Sequence, residues 1–236
     1  MNHEEAIKRL EALANPKNVE GMARFGIRPK TKVLGVPIPE IRKIAKIIKK
    51  DHALALALFD SKIHEARILA GYIADPQKIT EKQFERWVKT FDSWDVVDQV
   101  CSSCLDKTSF VYKKIFELSK RKEEFVKRTA FTLMAVLASH DKKAPNKKFL
   151  KFFPIIKRAS TDERNFVKKA VNWALRGTGK RNSKLNKEAI KLAKEIHPVI
   201  RPGVPLDNGA KAAKWIAQDA IRELTSQAVQ KRFKNK

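Results

Sequence analysis

Apolar residues recur along nearly the whole chain at intervals of three and four, the spacing that places them on one face of an α-helix. This periodicity predicts helices near 3–14, 17–25, 38–50, 52–59, 63–74, 80–91, 94–105, 109–119, 123–138, 146–159, 163–177, 185–196, 208–224 and 226–233. Pro16, Pro37, Pro39, Pro76, Pro145 and the stretch from Pro198 to Pro205 fall at the helix edges or between helices, where a residue without a backbone N–H does least harm. No segment alternates strictly between apolar and polar residues as a half-buried strand would. With only 8 glycines and 10 prolines, the chain is also short of the residues that many tight β-turns require.

The middle of the chain repeats. Phe125-Val126-Lys127-Arg128 returns as Phe166-Val167-Lys168-Lys169, and sliding that register in both directions aligns Arg67, Asp98, Arg128, Lys169 and Lys211 at spacings of 31, 30, 41 and 42. Periods of this size, with two helices in each, indicate an all-α solenoid of HEAT-like helix pairs. One repeat domain over 1–236 is expected, with N-terminal helices over 1–50, helix-pair repeats over 51–224 and a basic tail over 225–236. The expected apolar stripe of 123–138 is Val126, Ala130, Leu133, Met134 and Leu137, which turns Arg128 outward. In 163–177 it is Phe166, Val167, Ala170, Val171, Ala174 and Leu175, and it leaves Lys169, Trp173 and Arg176 together on another face. Equivalent positions in a solenoid line one curved surface. The register therefore predicts a basic concave column, with Arg67, Arg128 and Lys169 as DNA contacts and Asp98 as an acid set among them.

Charge sharpens this picture. The 236 residues carry 51 Lys and Arg against 26 Asp and Glu, a formal net charge of +25. Such a balance repels itself in a compact state and calls for a polyanionic partner, nucleic acid before an anionic membrane surface. The 43% hydrophobic content excludes a disordered basic tail. The first residues carry two acids and lack a signal peptide's apolar core, and no apolar run nears the length of a membrane span. Two cysteines build no disulfide framework. A cytoplasmic or nucleoid-associated monomer is expected, neither secreted nor membrane-bound.

Most motifs have plain readings. Cys101 and Cys104 form C-x-x-C, but the five histidines are scattered and offer no further zinc ligands. Their helical spacing with Val97, Val100 and Leu105 makes both thiols small core residues. Gly177-Thr178-Gly179-Lys180-Arg181 lacks the earlier glycine and the Ser or Thr of a phosphate loop, and reads as a helix stop whose Lys180 and Arg181 can touch phosphates. Asp92-Ser93-Trp94-Asp95-Val96-Val97-Asp98 carries more. Asp92 or Ser93 can cap a helix and Asp95 suits its positive end, but Asp98 lies too far in to cap and sits one turn from Trp94.

Four segments together resemble the DNA alkylation repair glycosylases of the AlkD type, which are HEAT-like repeat proteins. The first is Met22-Ala23-Arg24-Phe25 with Leu34-Gly35-Val36 and Pro39-Glu40-Ile41-Arg42. The second is Ser93-Trp94-Asp95-Val96-Val97-Asp98, the third Lys127-Arg128-Thr129-Ala130, and the fourth runs from Lys169 to Arg176 through Trp173. They cover most of residues 20–180. The resemblance implies hydrolysis of the N-glycosidic bond of N3- or N7-alkylated purines in duplex DNA, without insertion of the lesion into a deep pocket. It makes Asp98 the catalytic carboxylate, Trp94, Trp173 and Phe25 the contacts to the damaged nucleotide, and Arg128 a DNA contact, with Arg176 beside Trp173. Ser93 stands where the family often has a first tryptophan, and Phe25 where it often has a tyrosine.

The residue chemistry suits that reaction. An alkylated purine already carries positive charge and leaves without a general acid. What remains is an oxocarbenium-like sugar, which a carboxylate stabilises while orienting water, and cationic character, which indole faces attract. No metal, cofactor or Schiff-base lysine is required, so a monofunctional glycosylase is expected. Two alternatives stay open: a HEAT-repeat protein that binds branched or distorted DNA without chemistry, and a scaffold for an acidic protein, which leaves the tryptophan–aspartate cluster without a role.

Overall fold

The computed structural model describes residues 1–198 and 205–234, all-α apart from one isolated parallel bridge between Lys32 and Ile63. The expected helices are present with small shifts at their ends. Most of the unassigned segment around Ile200 and the last two residues of the basic tail lie outside the described residues. The chain divides into two compact units, Met1–Tyr112 and Lys113–Lys236.

The first unit holds α1 (His3–Glu11), α2 (Pro16–Arg24), α3 (Ile38–Ile48), α4 (His52–Asp60), α5 (His64–Ile73), α6 (Glu81–Lys89) and α7 (Trp94–Ser103), followed by one 3-10 turn at Leu105–Lys107. Local chemistry starts these helices. Asn2 and Glu5 form a reciprocal capping box on α1, as do Thr80 and Gln83 on α6, and the Asn15 and Asp51 side chains cap α2 and α4. α5 is the central element, packed on α3, α4 and α7, and all its residues but Tyr72 are buried. Phe59 of α4 stacks on Trp87 of α6 with centroids 4.2 Å apart. Burying rings of this size contributes about 1.5–3 kcal/mol each.

α8 (Val111–Leu118) contains the boundary. The second unit continues with α9 (Glu124–His140), α10 (Asn146–Leu150), α11 (Phe153–Ala159), α12 (Asn165–Gly179), α13 (Ser183–Ile196), α14 (Asn208–Leu224) and α15 (Gln227–Lys234). α12 packs on α9, α13 and α14. Three expectations change here. The helix expected over 146–159 is two, because Pro154 in the first turn of α11 has no N–H to continue a ladder and its ring would clash with the carbonyl four residues back. α9 is no amphipathic surface helix: from Arg128 to Ala138 every residue is buried, so its apolar stripe widens to all sides. α12 does not stop at Gly177 but runs to Gly179. A Cβ on Gly177 would come 3.3 Å from the Ala135 Cα, and one on Gly179 would meet Leu224 Cδ2 at 2.7 Å. These glycines allow helices to approach closely rather than end one.

Candidate functional site

In the first unit, α5 sets the start of α7 through tertiary anchors. Arg67 donates from Nη1 to Asp92 Oδ1 at 2.7 Å and from Nη2 to the Thr90 carbonyl at 2.6 Å, and its guanidinium lies 5.2 Å from the Phe59 ring centroid. His64 Nε2 lies 2.7 Å from Asp95 Oδ2. Glu65 is buried and accepts from the backbone N–H groups of Leu34 (3.0 Å) and Gly35 (2.7 Å). Gly35 has φ of 76° and no room for a Cβ, which would sit 2.3 Å from the Asn15 carbonyl oxygen. The loop before α3 and the loop before α7 are thus held by one helix. Lys30 N–H completes the frame by donating to Asp92 Oδ2 at 2.8 Å.

Arg67 is 2% exposed, which corrects its assignment as a phosphate contact: its charge is spent inside the fold on Asp92. Asp92 does not cap α7. Ser93 occupies the N-cap position without a side-chain capping bond. Ser93 Oγ donates instead to Asp95 Oδ1. Burial pushes the Asp95 carboxyl up, but the His64 and Ser93 hydrogen bonds outweigh it and hold the group below the ordinary carboxylate range. Ser93, Asp95 and His64 are the residue types of a nucleophilic triad in the wrong order. The serine bonds the carboxylate rather than the imidazole, and all three are buried, so the cluster is structural.

Trp94 and Asp98 project from this frame, both half-buried. The Trp94 Nε1–H donates to the Phe25 carbonyl at 3.0 Å, so two of the expected nucleotide contacts are brought together. Phe25 closes the end of α2 and its residue is 72% exposed. Asp98 lies one turn along α7 from Trp94, and its backbone carbonyl accepts from Ser102 Oγ at 2.7 Å. On the same helix Gln99 accepts from the Tyr72 hydroxyl, which in turn accepts from Arg42 Nε at 2.9 Å. Cys101 and Cys104 are fully buried, and burial pushes the Cys104 thiol up to about 12. Among the described residues no three His, Cys, Asp or Glu side chains are grouped to hold a metal ion.

In the second unit, Arg128 is 5% exposed and donates from Nη1 to the Phe166 carbonyl at 2.7 Å, tying α9 to the start of α12. This corrects its outward placement, since α9 has no outward face at that position. Lys169 is exposed and Trp173 half-buried, on the face expected for them. Arg176 pairs with Asp219 at 3.3 Å and Glu223 at 2.5 Å, both on α14, and Lys180 pairs with Glu223 at 2.6 Å. Burial raises the Glu223 carboxyl, and these cations more than offset that and lower it. Arg181 donates to the carbonyls of Ala138, Lys142 and Ala144 and stacks on Phe149 at 4.2 Å. Arg176, Lys180 and Arg181 are therefore committed to helix packing, and of the expected basic contacts Lys169 alone is exposed.

Sequence reasoning missed Glu65 and His64, whose partners lie about thirty residues away and carry no local signal. It also missed Trp215, which is 39% exposed on α14. A signal for that residue did exist: Lys211-Ala212-Ala213-Lys214-Trp215 repeats the Lys169-Ala170-Val171-Asn172-Trp173 pattern.

These helix pairs define a HEAT-like repeat protein. A solved structure described as "A new family of proteins related to the HEAT-like repeat DNA glycosylases with affinity for branched DNA structures" superposes with a TM-score of 0.74, at 21% identity over 94% of this chain and 97% of that one. The family model described as DNA alkylation repair enzyme matches residues 6–224, and the chain belongs to that family. Two curated relatives are the uncharacterized proteins Lin0241 of Listeria innocua (28% identical) and Lmo0209 of Listeria monocytogenes (29% identical), each over 101 residues. Those matches take in 42% of this chain and 45% of each relative, so the chain spans less than half the length of the curated relatives it matches. No helix among the described residues is long and apolar enough to cross a membrane.

Proposed function

We propose that the protein is a DNA glycosylase that releases N3- or N7-alkylated purines from duplex DNA. The observation that carries this reading is Asp98, a half-buried carboxylate on α7 one turn from Trp94, in a chain of net charge +25 that belongs to the alkylation repair family. Asp98 stabilises the oxocarbenium-like sugar as the base departs and orients the water that captures it. Trp94 and Phe25, in the first unit, contact the sugar and backbone of the damaged nucleotide; Trp173 and Lys169, in the second, contact the DNA, Lys169 at phosphate. Arg67 and Arg128 act through the elements they anchor rather than by touching DNA. The base leaves with the electron pair of the glycosidic bond, which neutralises its positive charge, so no protonation step is needed. Water adds at the sugar carbon and its proton passes to Asp98 or solvent, leaving an abasic site.

The test is direct. Purified protein incubated with methylated duplex DNA should liberate free 7-methylguanine or 3-methyladenine, and no release from either lesion would overturn the catalytic reading. A second reading is favoured by the structural neighbour, which is described as having affinity for branched DNA structures. On that reading the chain binds branched DNA without breaking a bond, and it would be identified by tight binding with no base release.

A further inference from the structure

We propose that Trp215, with Lys168, Lys211 and Lys214, forms a stacking site on α14 for an unpaired nucleotide of DNA. The inference rests on the reading of the chain as a DNA-binding protein, and it concerns a tryptophan to which neither the family motifs nor the sequence expectations give a role, beside Lys211 of the basic register.

The first support is internal repetition. Trp215 follows Trp173 by 42 residues, and Lys211 follows Lys169 by the same interval. Ala170 and Val171 face the core of the unit, and so do Ala212 and Ala213, while Lys169 and Lys211 are exposed; the third pair differs, Asn172 being buried and Lys214 half-buried. Each tryptophan therefore sits at the same position relative to two core-facing residues of its helix, and Trp215 is the more exposed of the two. The repeat has produced a second copy of the lysine–tryptophan pair on the neighbouring helix.

The second support is how the ring is held. Trp215, Asp219 and Glu223 recur at four-residue intervals and form one face of α14. Asp219 Oδ2 accepts from Asn172 Nδ2 at 2.7 Å, and Glu223 binds Arg176 and Lys180, so this face is packed on α12. At its open end the Lys168 ammonium of α12 lies 5.2 Å from the centroid of the Trp215 ring. The Lys168 ammonium thus lies over one face of the ring, and 39% of the residue still faces solvent, which leaves the other face for a ligand. A large aromatic kept partly open, when Trp87 of the same chain is wholly buried, is a surface suited to a planar ligand.

The third support is charge. The acids of α14, Asp219 and Glu223, are both engaged by basic or amide partners, whereas Lys168 lies over the ring, the exposed Lys211 precedes Trp215 by one helical turn and Lys214 adjoins it in sequence. Indole beside ammonium groups is the combination that takes a nucleobase on its face and a phosphate at its edge. A base inside a duplex is already stacked on both sides and offers no face, so the occupant is an unpaired nucleotide, as in a single-stranded arm of a branch.

Binding of the full chain to a forked duplex with a single-stranded arm, compared with a blunt duplex, tests this by fluorescence anisotropy. Wild type should prefer the fork. Trp215→Ala should lose roughly 5- to 150-fold of its fork affinity, the range expected for one stacked base, while blunt-duplex affinity stays within about twofold. Trp215→Phe should retain most of the preference. An arm of abasic phosphates should bind wild type and Trp215→Ala alike, because it keeps the charge and removes the base. Lys211→Glu, an exposed change that leaves the core intact, should also weaken the fork selectively. Trp215→Ala that retains its helical circular dichroism and binds the fork as tightly as wild type would overturn the proposal, as would equal losses on fork and duplex. Wild type that binds neither DNA at low salt would instead overturn the DNA-binding reading on which the proposal rests.

Discussion

The indole of Trp94 hydrogen-bonds the carbonyl of Phe25, residues 69 apart in sequence. The bond fixes the end of α2 against the start of α7 and orients the indole that flanks Asp98. Trp94, Phe25 and the Asp98 carboxylate therefore belong to one assembled corner of the first unit. Asp98→Asn should reduce base release by at least about 100-fold, the scale of a lost electrostatic contact to a developing charge. DNA affinity should be unchanged or slightly higher, because a charge that repels phosphate is removed. Single-turnover release of 7-methylguanine alongside a binding titration checks both parts.

Arg67→Ala should destabilise the first unit by about 3 kcal/mol, since it leaves Asp92 without its buried cation and the Thr90 carbonyl without a donor. For a chain of this size the melting temperature should fall by about 10 °C. Thermal denaturation is the readout. Because the guanidinium is buried, the salt dependence of DNA binding by the folded variant should not change.

Lys169→Ala should do the reverse. It should leave the melting temperature within about 2 °C and reduce the slope of log affinity against log salt by about one. If roughly six phosphates are contacted, the wild-type slope is near −5. Titrations at four or more salt concentrations distinguish the two lysine and arginine roles.

Acid should unfold the protein in a defined window. Burial raises the Asp162 carboxyl, but hydrogen bonds and charge from Arg164 and Lys127 outweigh it and bring the group to about 2. Asp95 is also held below its ordinary value. A depressed carboxyl stabilises the fold fully above its unfolded-state value near 4. That contribution is lost as pH falls from there through the folded-state value. Stability should therefore decline between about pH 4 and pH 2, and Asp162→Asn should flatten part of the decline while lowering stability at neutral pH by about 1–2 kcal/mol. Urea denaturation at a series of pH values measures both.

Gly179→Ala should be destabilising by about 1–3 kcal/mol although alanine favours helix, because the added methyl would meet Leu224 and Ala189 within 2.8 Å inside a full core. A lower urea midpoint with an unchanged slope is the expected result.

Helix placement was legible because prolines and the 3.6-residue period agree along the chain, and the repeat register was visible in Phe125 and Phe166. What the register could not supply was the direction of a long side chain. Arg67, Arg128 and Lys169 occupy equivalent positions, yet the first two find carbonyl or carboxylate partners on other elements and turn inward, while Lys169 stays out. Such choices depend on which acceptors tertiary packing brings near, not on the residue's own neighbours. Gly177 and Gly179 misled for a related reason. Glycine near a helix end most often stops it, and here the demand for close approach between helices prevailed.

The sealed cysteines have a chemical consequence. Agents that alkylate purines are electrophiles that also consume thiolates, and on the proposed function the protein would meet the same reagents whose damage it removes. With both sulfurs closed off from solvent and the Cys104 proton held to about 12, the molecule offers methylating reagents almost no anionic sulfur. Its own inactivation by such reagents should be slow compared with that of a protein carrying an open thiol.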